Sequence, residues 1–220
     1  LRELVENDRI VGGMTPKCSA AAAALYKSFV EGECIITNAR TAEMCKLTEN
    51  SFRDVNIAFA NELSIICEKL EINVWEFIRL ANRHPRVNIL QPGPGVGGHC
   101  IAVDPWFIVA QSPQEARLIR TARIVNDSKP NVVVEQISQH ARARNNNTVY
   151  CLGAAFKPDI DDLRESPSVA IIRRLIDAGL TVKLVEPNIH ALPPTLDDER
   201  CSLIDFDDCV ADQGNALIAI

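Results

Sequence analysis

Thr148-Val149-Tyr150-Cys151-Leu152-Gly153, then Ser166-Pro167 opening a run to Ala178-Gly179, then Thr181-Val182-Lys183-Leu184-Val185, is the stretch that decides the fold class. The first and last pieces are short β-prone runs of the kind buried in a parallel sheet. Between them Ser166 reads as an N-cap, Pro167 as the first helical residue and Gly179 as the stop. Strand, helix and strand at this spacing predict a βαβ unit with a parallel sheet and a right-handed crossover. Ligands of such sheets sit beyond the carboxyl ends of the strands, where Lys157, Arg164 and Glu186 fall. Helix N-termini at that edge also favour phosphate. Ala216–Ile220 reads as a further strand.

Upstream, Glu115–Val125 is helical by pattern. Asn126-Asp127-Ser128-Lys129-Pro130 reads as a domain boundary, with Pro130 in the first turn of a new helix to about Ala143 and a polar turn at Arg144–Asn147. Before that lies the most unusual composition in the chain, Gln91-Pro92-Gly93-Pro94-Gly95-Val96-Gly97-Gly98-His99-Cys100-Ile101-Ala102-Val103-Asp104-Pro105. Four glycines and two prolines within residues 91–98 exclude a regular helix or strand interior. Such a backbone can approach a ligand closely. It leads into a thiol, Cys100, with a carboxylate, Asp104, shortly after, which is the layout of a covalent site.

Plainer readings stand beside this one. A free cysteine is commonly a small buried hydrophobe, and a Pro/Gly run is commonly a turn. Gly93, Gly95 and Gly98 also match G-x-G-x-x-G by count. That fingerprint must follow a strand and open a helix, whereas here prolines interrupt it and β-prone residues follow. His99–Cys100 makes a poor nucleophile–base pair, because neighbours in an extended chain point to opposite sides.

Further upstream, residues 39–70 contain no proline or glycine. Leu47, Phe52, Val55, Phe59, Leu63, Ile66 and Leu70 recur near the helical period. A helix of this length serves more than one small core, such as a domain bridge or subunit interface. Its polar positions Lys46, Asn50 and Arg53 follow at i, i+4 and i+7 and so share a face, which by itself reads more readily as a solvated charged surface. Val74–Ala81 is a second helix, with Asn73 and Glu76 set as in a capping box. Asn82-Arg83-His84-Pro85-Arg86 leads from it to the glycine loop. Near the start, Arg9–Gly13 reads as a strand and turn, Ala20–Val30 as helical and Glu33–Thr37 as β-prone.

The chain as a whole excludes several classes. At 220 residues, 47% of them hydrophobic, it has ample core for a globular protein. No apolar run is long enough for a membrane span, and the charged first residues do not form a signal peptide. With 23 basic against 29 acidic residues the net charge is −6, and no basic block offers a nucleic-acid surface. The eight cysteines are scattered without C-x-x-C, which favours reduced cytosolic thiols over disulfides or a metal site. Both ends read as cut, so a fragment of a longer protein is expected.

Three blocks together resemble the UDP-glucose/GDP-mannose dehydrogenase superfamily. They are Ala42-Glu43-Met44-Cys45-Lys46-Leu47-Thr48-Glu49-Asn50 with Arg53 and Asn61-Glu62; the loop ending Gly97-Gly98-His99-Cys100 with Asp104-Pro105; and Gly153-Ala154-Ala155-Phe156-Lys157 with Asp161-Asp162-Leu163-Arg164-Glu165-Ser166-Pro167. Within the family, His84–Asn88 and His99–Phe107 are most similar to members that oxidise UDP-N-acetyl-D-mannosamine. The UDP-N-acetylglucosamine 6-dehydrogenases are close relatives, commonly with proline where this chain has Ala102.

The resemblance implies an α/β fold with a helical central domain and a Rossmann-like parallel UDP-binding domain. Residues 1–38 would be the tail of an NAD-binding domain, 39–126 the central dimerisation domain with the cysteine loop, and 127–220 a truncated UDP-binding domain. It implies a cytoplasmic homodimer, joined through the central helix, with NAD as cofactor and a UDP-sugar as substrate. The reaction would be a two-step oxidation of the sugar C6 alcohol through a Cys100 thiohemiacetal and thioester. Lys46 would favour the thiolate and stabilise the developing alkoxide; Asn50 would bond the same oxygen or hold water. Asp104 would orient Lys46 or act as a base. Arg53, His84, Arg86 and the Gly97 backbone would contact sugar and phosphates, Phe156 and Lys157 the UDP, and Arg164 the NAD. A stand-alone cysteine acyl-transferase lacks a placed base. A non-catalytic, dimerising UDP-sugar-binding module is the rival expectation for the fragment itself.

Overall fold

The βαβ reading of residues 148–185 is realised in a computed structural model that describes residues 2–157, 159–211 and 217–219. In chain order the helices are α1 (Arg2–Glu6), α2 (Pro16–Tyr26), α3 (Ala39–Lys69), α4 (Val74–Ala81), α5 (Cys100–Gln111), α6 (Arg117–Arg144), α7 (Pro167–Asp177) and α8 (Phe206–Ala211). The strands are β1 (Arg9–Gly13), β2 (Cys34–Asn38), β3 (Thr148–Leu152), β4 (Thr181–Val185), β5 (Cys201–Leu203) and β6 (Leu217–Ala219). They gather into two compact units, Leu1–Phe52 and Arg53–Ile220.

In the first unit β1 and β2 pair in parallel, Ile10 opposite Ile35. Helix α2 connects them over a small core of Val11, Ala23, Val30 and Cys34. Thr15 caps α2 by accepting from the Cys18 N–H at 3.2 Å. Ser19 ties the unit together, accepting from Gly13 N (2.9 Å) and donating to the Thr37 carbonyl (3.2 Å).

In the second unit the parallel sheet has the order β5-β4-β3-β6. Alternation along its strands sorts the side chains onto two faces. Val149, Cys151, Val182 and Leu184 pack with Ile171, Ile172, Leu175 and Ile176 of α7 and with Ala141 of α6. Tyr150 and Val185 face the other way, toward Cys209. Burying each of the α7 apolar side chains contributes about 1.5–3 kcal/mol, so this face anchors the loops at the carboxyl edge of the sheet. Ser166 caps α7, accepting from Ser168 N at 3.2 Å. The strand expected at Ala216–Ile220 is present as Leu217–Ala219; Ala216 and Ile220 lie outside the described residues.

Two expectations are overturned. The helix break expected at Asn126–Pro130 is absent: α6 runs through it with Pro130 inside the helix. A mid-helix proline removes one ladder hydrogen bond, but Arg123, Asn126, Lys129 and Pro130 are all buried here. Tertiary contacts outweigh the local signal. The helix instead ends at Asn145, which adopts the left-handed conformation (φ 50°) of a helix stop. Likewise the β-prone residues after the glycine loop form α5, with Pro105 inside it. Ile108 and Val109 bury their side chains from that helix, and α5 packs on α6; β propensity yields to burial.

Candidate functional site

The glycine loop follows no strand among the described residues, so it lacks the context of a dinucleotide fingerprint, although a helix does begin directly after it. Cys100 is the first residue of α5 and is exposed. The first-turn N–H groups of a helix have no intrahelical acceptor and carry its positive end. Asp104 lies one turn further along α5 and is half-buried, on the same side as Cys100 by helical spacing. His99 is in helical rather than extended conformation (φ −84°, ψ −33°). Successive helical residues do not face each other either, so the pair is still not a dyad, for a different reason.

The close approach made by the loop is to protein. A Cβ on Gly97 would sit 2.7 Å from Pro167 Cδ and 2.8 Å from both the Glu165 carbonyl oxygen and Phe156 Cβ. A Cβ on Gly98, in the left-handed region (φ 81°), would meet the Phe156 ring at 3.0 Å. Glycine is required here because the cysteine loop is pressed onto the loop that follows β3. Gly97 and Phe156, expected on sugar and UDP respectively, are thus brought together, and each occupies surface of the other. Lys157 is exposed, its Nζ 5.6 Å from the centre of the Phe156 ring.

Beside this junction opens a cleft of about 1140 Å³, lined among others by Val96, His99, Asp127, Asp162, Arg164 and Arg173. Arg164, expected to reach NAD, makes a two-pronged pair with Asp162, its Nε and Nη2 each 2.8 Å from carboxylate oxygens. Hydrogen bonds from the Arg164 side chain and backbone, with His99 adding a favourable charge, hold the Asp162 carboxyl well below its usual range. At the end of β4, Glu186 is buried, and its carboxylate accepts from Ala154 N (2.9 Å), Ala155 N (3.3 Å) and Asn188 N (3.1 Å). Burial pushes Glu186 upward, but these donors outweigh it and the group sits below its ordinary value. Glu186 shapes the turn after β3 and has its lone pairs engaged.

Lys46 and Asn50 belong to the first unit. Lys46 is exposed and paired with Glu49 at 3.4 Å, whereas Asn50 is only 5% exposed. Arg53, in the second unit, is exposed. His84 and Arg86 are exposed and adjacent: His84 Nδ1 accepts from Arg86 N at 3.3 Å. Asn82 closes their loop by exchanging two hydrogen bonds with the Ile89 backbone, at 2.7 and 2.9 Å.

Sequence reasoning gave no role to a buried polar network joining α3, α6 and the glycine loop. Arg123 Nη1 donates to Asp54 Oδ1 at 2.5 Å, and Arg123 also pairs with Asp127. Asn126 Nδ2 donates to Asp54 Oδ1 at 2.8 Å, and Asn61 Nδ2 to Asn126 Oδ1 at 2.9 Å. Asn61 Oδ1 accepts from Gly93 N at 2.8 Å. Asp54, Asn61, Arg123 and Asn126 are each at most 2% exposed. The available signal was their seven- and three-residue spacing on two helices, which also describes a solvated face. Among the described residues no cluster of His, Cys, Asp and Glu could hold a metal ion, and no helix is long and apolar enough to cross a membrane.

Two domain descriptions match the chain: the UDP-glucose/GDP-mannose dehydrogenase family central domain at residues 40–128, and that family's UDP binding domain at residues 150–220. The UDP-N-acetyl-D-mannosamine dehydrogenase of Campylobacter jejuni is 67% identical over 201 residues, 91% of this chain and 49% of that protein. The NDP-N-acetyl-D-galactosaminuronic acid dehydrogenase of Ralstonia solanacearum is 66% identical over 198 residues, 90% of this chain and 47% of that protein. Among solved structures, a UDP-D-ManNAc dehydrogenase from Pyrococcus horikoshii aligns with a TM-score of 0.81 at 40% identity, covering 86% of this chain and 46% of its own. The chain thus spans about half the length of the curated relatives it matches.

Proposed function

The chain belongs to the UDP-glucose/GDP-mannose dehydrogenase family, and on that premise we propose that the protein carrying it oxidises the C6 alcohol of UDP-N-acetyl-D-mannosamine to the uronate. The observation that carries this reading is an exposed thiol at the first position of α5, in a chain 67% identical to a UDP-N-acetyl-D-mannosamine dehydrogenase over 91% of its length.

Cys100 Sγ adds to the C6 aldehyde left by the first oxidation, giving a thiohemiacetal whose oxygen falls to the first-turn N–H groups of α5 and to Lys46. Preorganised donors of this kind contribute about 10²–10³ in rate each. The second oxidation leaves a thioester at Cys100. Water, held by Asn50 and deprotonated by Asp104, cleaves it to the uronate and the free thiol. Arg53, His84, Arg86 and the Gly97 backbone take the sugar and phosphates, and Lys157, with Phe156 beneath it, takes the UDP pyrophosphate. NAD, when bound, accepts the hydride of each oxidation. The exposed Arg164 guanidinium on the cleft wall fits an anionic group of that dinucleotide.

The same reading makes the protein a cytoplasmic homodimer joined through α3. Phe59 and Ile66, two helical turns apart, are 53% and 44% exposed, which supports an apolar seam. Eight free thiols support a reducing compartment. The domain limits 1–38, 39–126 and 127–220 are retained as part of this proposal. Identity of 66% to a galactosaminuronic acid dehydrogenase keeps a second hexosamine in view.

The test is NADH formation by the full-length protein with UDP-N-acetyl-D-mannosamine, UDP-N-acetylglucosamine and UDP-glucose. The mannosamine sugar gives the highest kcat/KM. Binding of all three without NADH would leave the non-catalytic module as the better account.

A further inference from the structure

We infer that Asn61 is a positioning residue for the loop that presents Cys100, holding its entry through the Gly93 N–H; this rests on the reading of Cys100 as nucleophile. From Asn88 to Gly98, ahead of α5 and its cap, the chain forms no backbone–backbone hydrogen bond among the described residues. Side chains do that work. The Ile89 N–H goes to Asn82 at 2.7 Å and the Gly93 N–H to Asn61 at 2.8 Å. The second of these lies on the cysteine side, seven residues before Cys100.

Asn61 suits this role because its own amide is fixed. It is fully buried, and its Nδ2 donates to Asn126 Oδ1 at 2.9 Å. Asn126 in turn donates to both the Asp54 carboxylate (2.8 Å) and the Asp54 carbonyl (3.0 Å). That chain sets which end of the Asn61 amide faces the loop: the oxygen must, because the nitrogen is engaged. One anchor from α3, stiffened by α6, thus fixes the start of the glycine segment. Its end is fixed by Phe156, Glu165 and Pro167 against Gly97 and Gly98. With only the Gly97–Gly98 end held, the segment that feeds α5 can shift as a whole, and a displacement near 1 Å at the thiol costs roughly 100-fold in rate.

The experiment uses the full-length enzyme with UDP-N-acetyl-D-mannosamine and NAD. Asn61→Ala removes the acceptor, and Gly93→Pro removes the donor while leaving Asn61 bonded to Asn126. Gly93→Ala keeps the donor, and its added methyl meets only the Gly95 carbonyl oxygen at 4.0 Å. Asn61→Ala and Gly93→Pro each lower kcat about 100-fold with KM for the sugar within about threefold, and Gly93→Ala stays within about threefold on both. The rate of Cys100 alkylation by iodoacetamide shifts in the first two variants and not in the third. Should Asn61→Ala fail to fold, Gly93→Pro against Gly93→Ala decides alone. Equal behaviour of the two Gly93 variants, or a change confined to KM, overturns the proposal. Normal Asn61→Ala and Gly93→Pro with an inactive Cys100→Ala sinks the positioning role alone; an active Cys100→Ala sinks the nucleophile reading beneath it.

Discussion

Cys100 differs from most of the other cysteines in access. It is exposed at a helix start, while Cys34, Cys67, Cys151, Cys201 and Cys209 are buried. Burial, with neighbouring Cys201 adding to it, pushes the Cys151 thiol up to about 12. Brief iodoacetamide treatment of the folded protein near neutral pH is therefore expected to modify Cys100 and exposed Cys18, and to spare Cys151, by peptide mass mapping. The proposed reaction gives Lys46 a part in the same chemistry. Lys46→Ala in the full-length enzyme should lower kcat about 10²–10³-fold; an effect on KM alone would make it a binding residue. These candidates were legible because each lies in a quotable block. Asn61 lies in one of those blocks too, but the bond it makes is not legible there, since a buried acceptor for a distant backbone N–H leaves no mark on its neighbours in sequence.

Local signals read correctly wherever a short segment decides its own conformation. The Ser166 cap, Pro167 and Gly179 bracket α7 as expected, and β3 and β4 fall on Thr148–Leu152 and Thr181–Val185. They misled at Pro130 and after Cys100, where burial of side chains against other elements decides the outcome. The junction between the glycine loop and the loop after β3 makes an energetic claim at this scale. Gly97→Ala forces a methyl to within 2.7–2.8 Å of Pro167, Glu165 and Phe156. The expected cost is about 1–3 kcal/mol in denaturant unfolding; no loss would mean that the two loops separate readily.

Glu186 gives the pH dependence. Its folded-state value is depressed by the backbone donors it accepts from. Its contribution is therefore fully present above the ordinary carboxylate range and lost as pH falls through the folded value. Glu186→Gln should cost about 1–3 kcal/mol near pH 7, and the difference from the parent protein should shrink as pH falls below the ordinary carboxylate range and through the depressed folded value. A difference that persisted unchanged into acid would contradict the charge-based account.

For the whole molecule, the parallel sheet and its helices were legible, because a βαβ repeat constrains topology strongly. Assembly is different: an exposed apolar stripe on a long helix states that something covers it without stating what. If α3 joins two copies, Phe59→Glu with Ile66→Glu in the full-length protein gives a monomer by light scattering, where the parent is a dimer. An unchanged mass would remove α3 from the interface.

The most direct test of covalent catalysis at Cys100 is an acid quench of the full-length enzyme during turnover of UDP-N-acetyl-D-mannosamine with NAD, followed by mass analysis of the peptide bearing Cys100. The account predicts an acyl adduct of the sugar nucleotide on that cysteine, and neither adduct nor uronate with Cys100→Ala. Near-normal uronate formation by the alanine variant would contradict it.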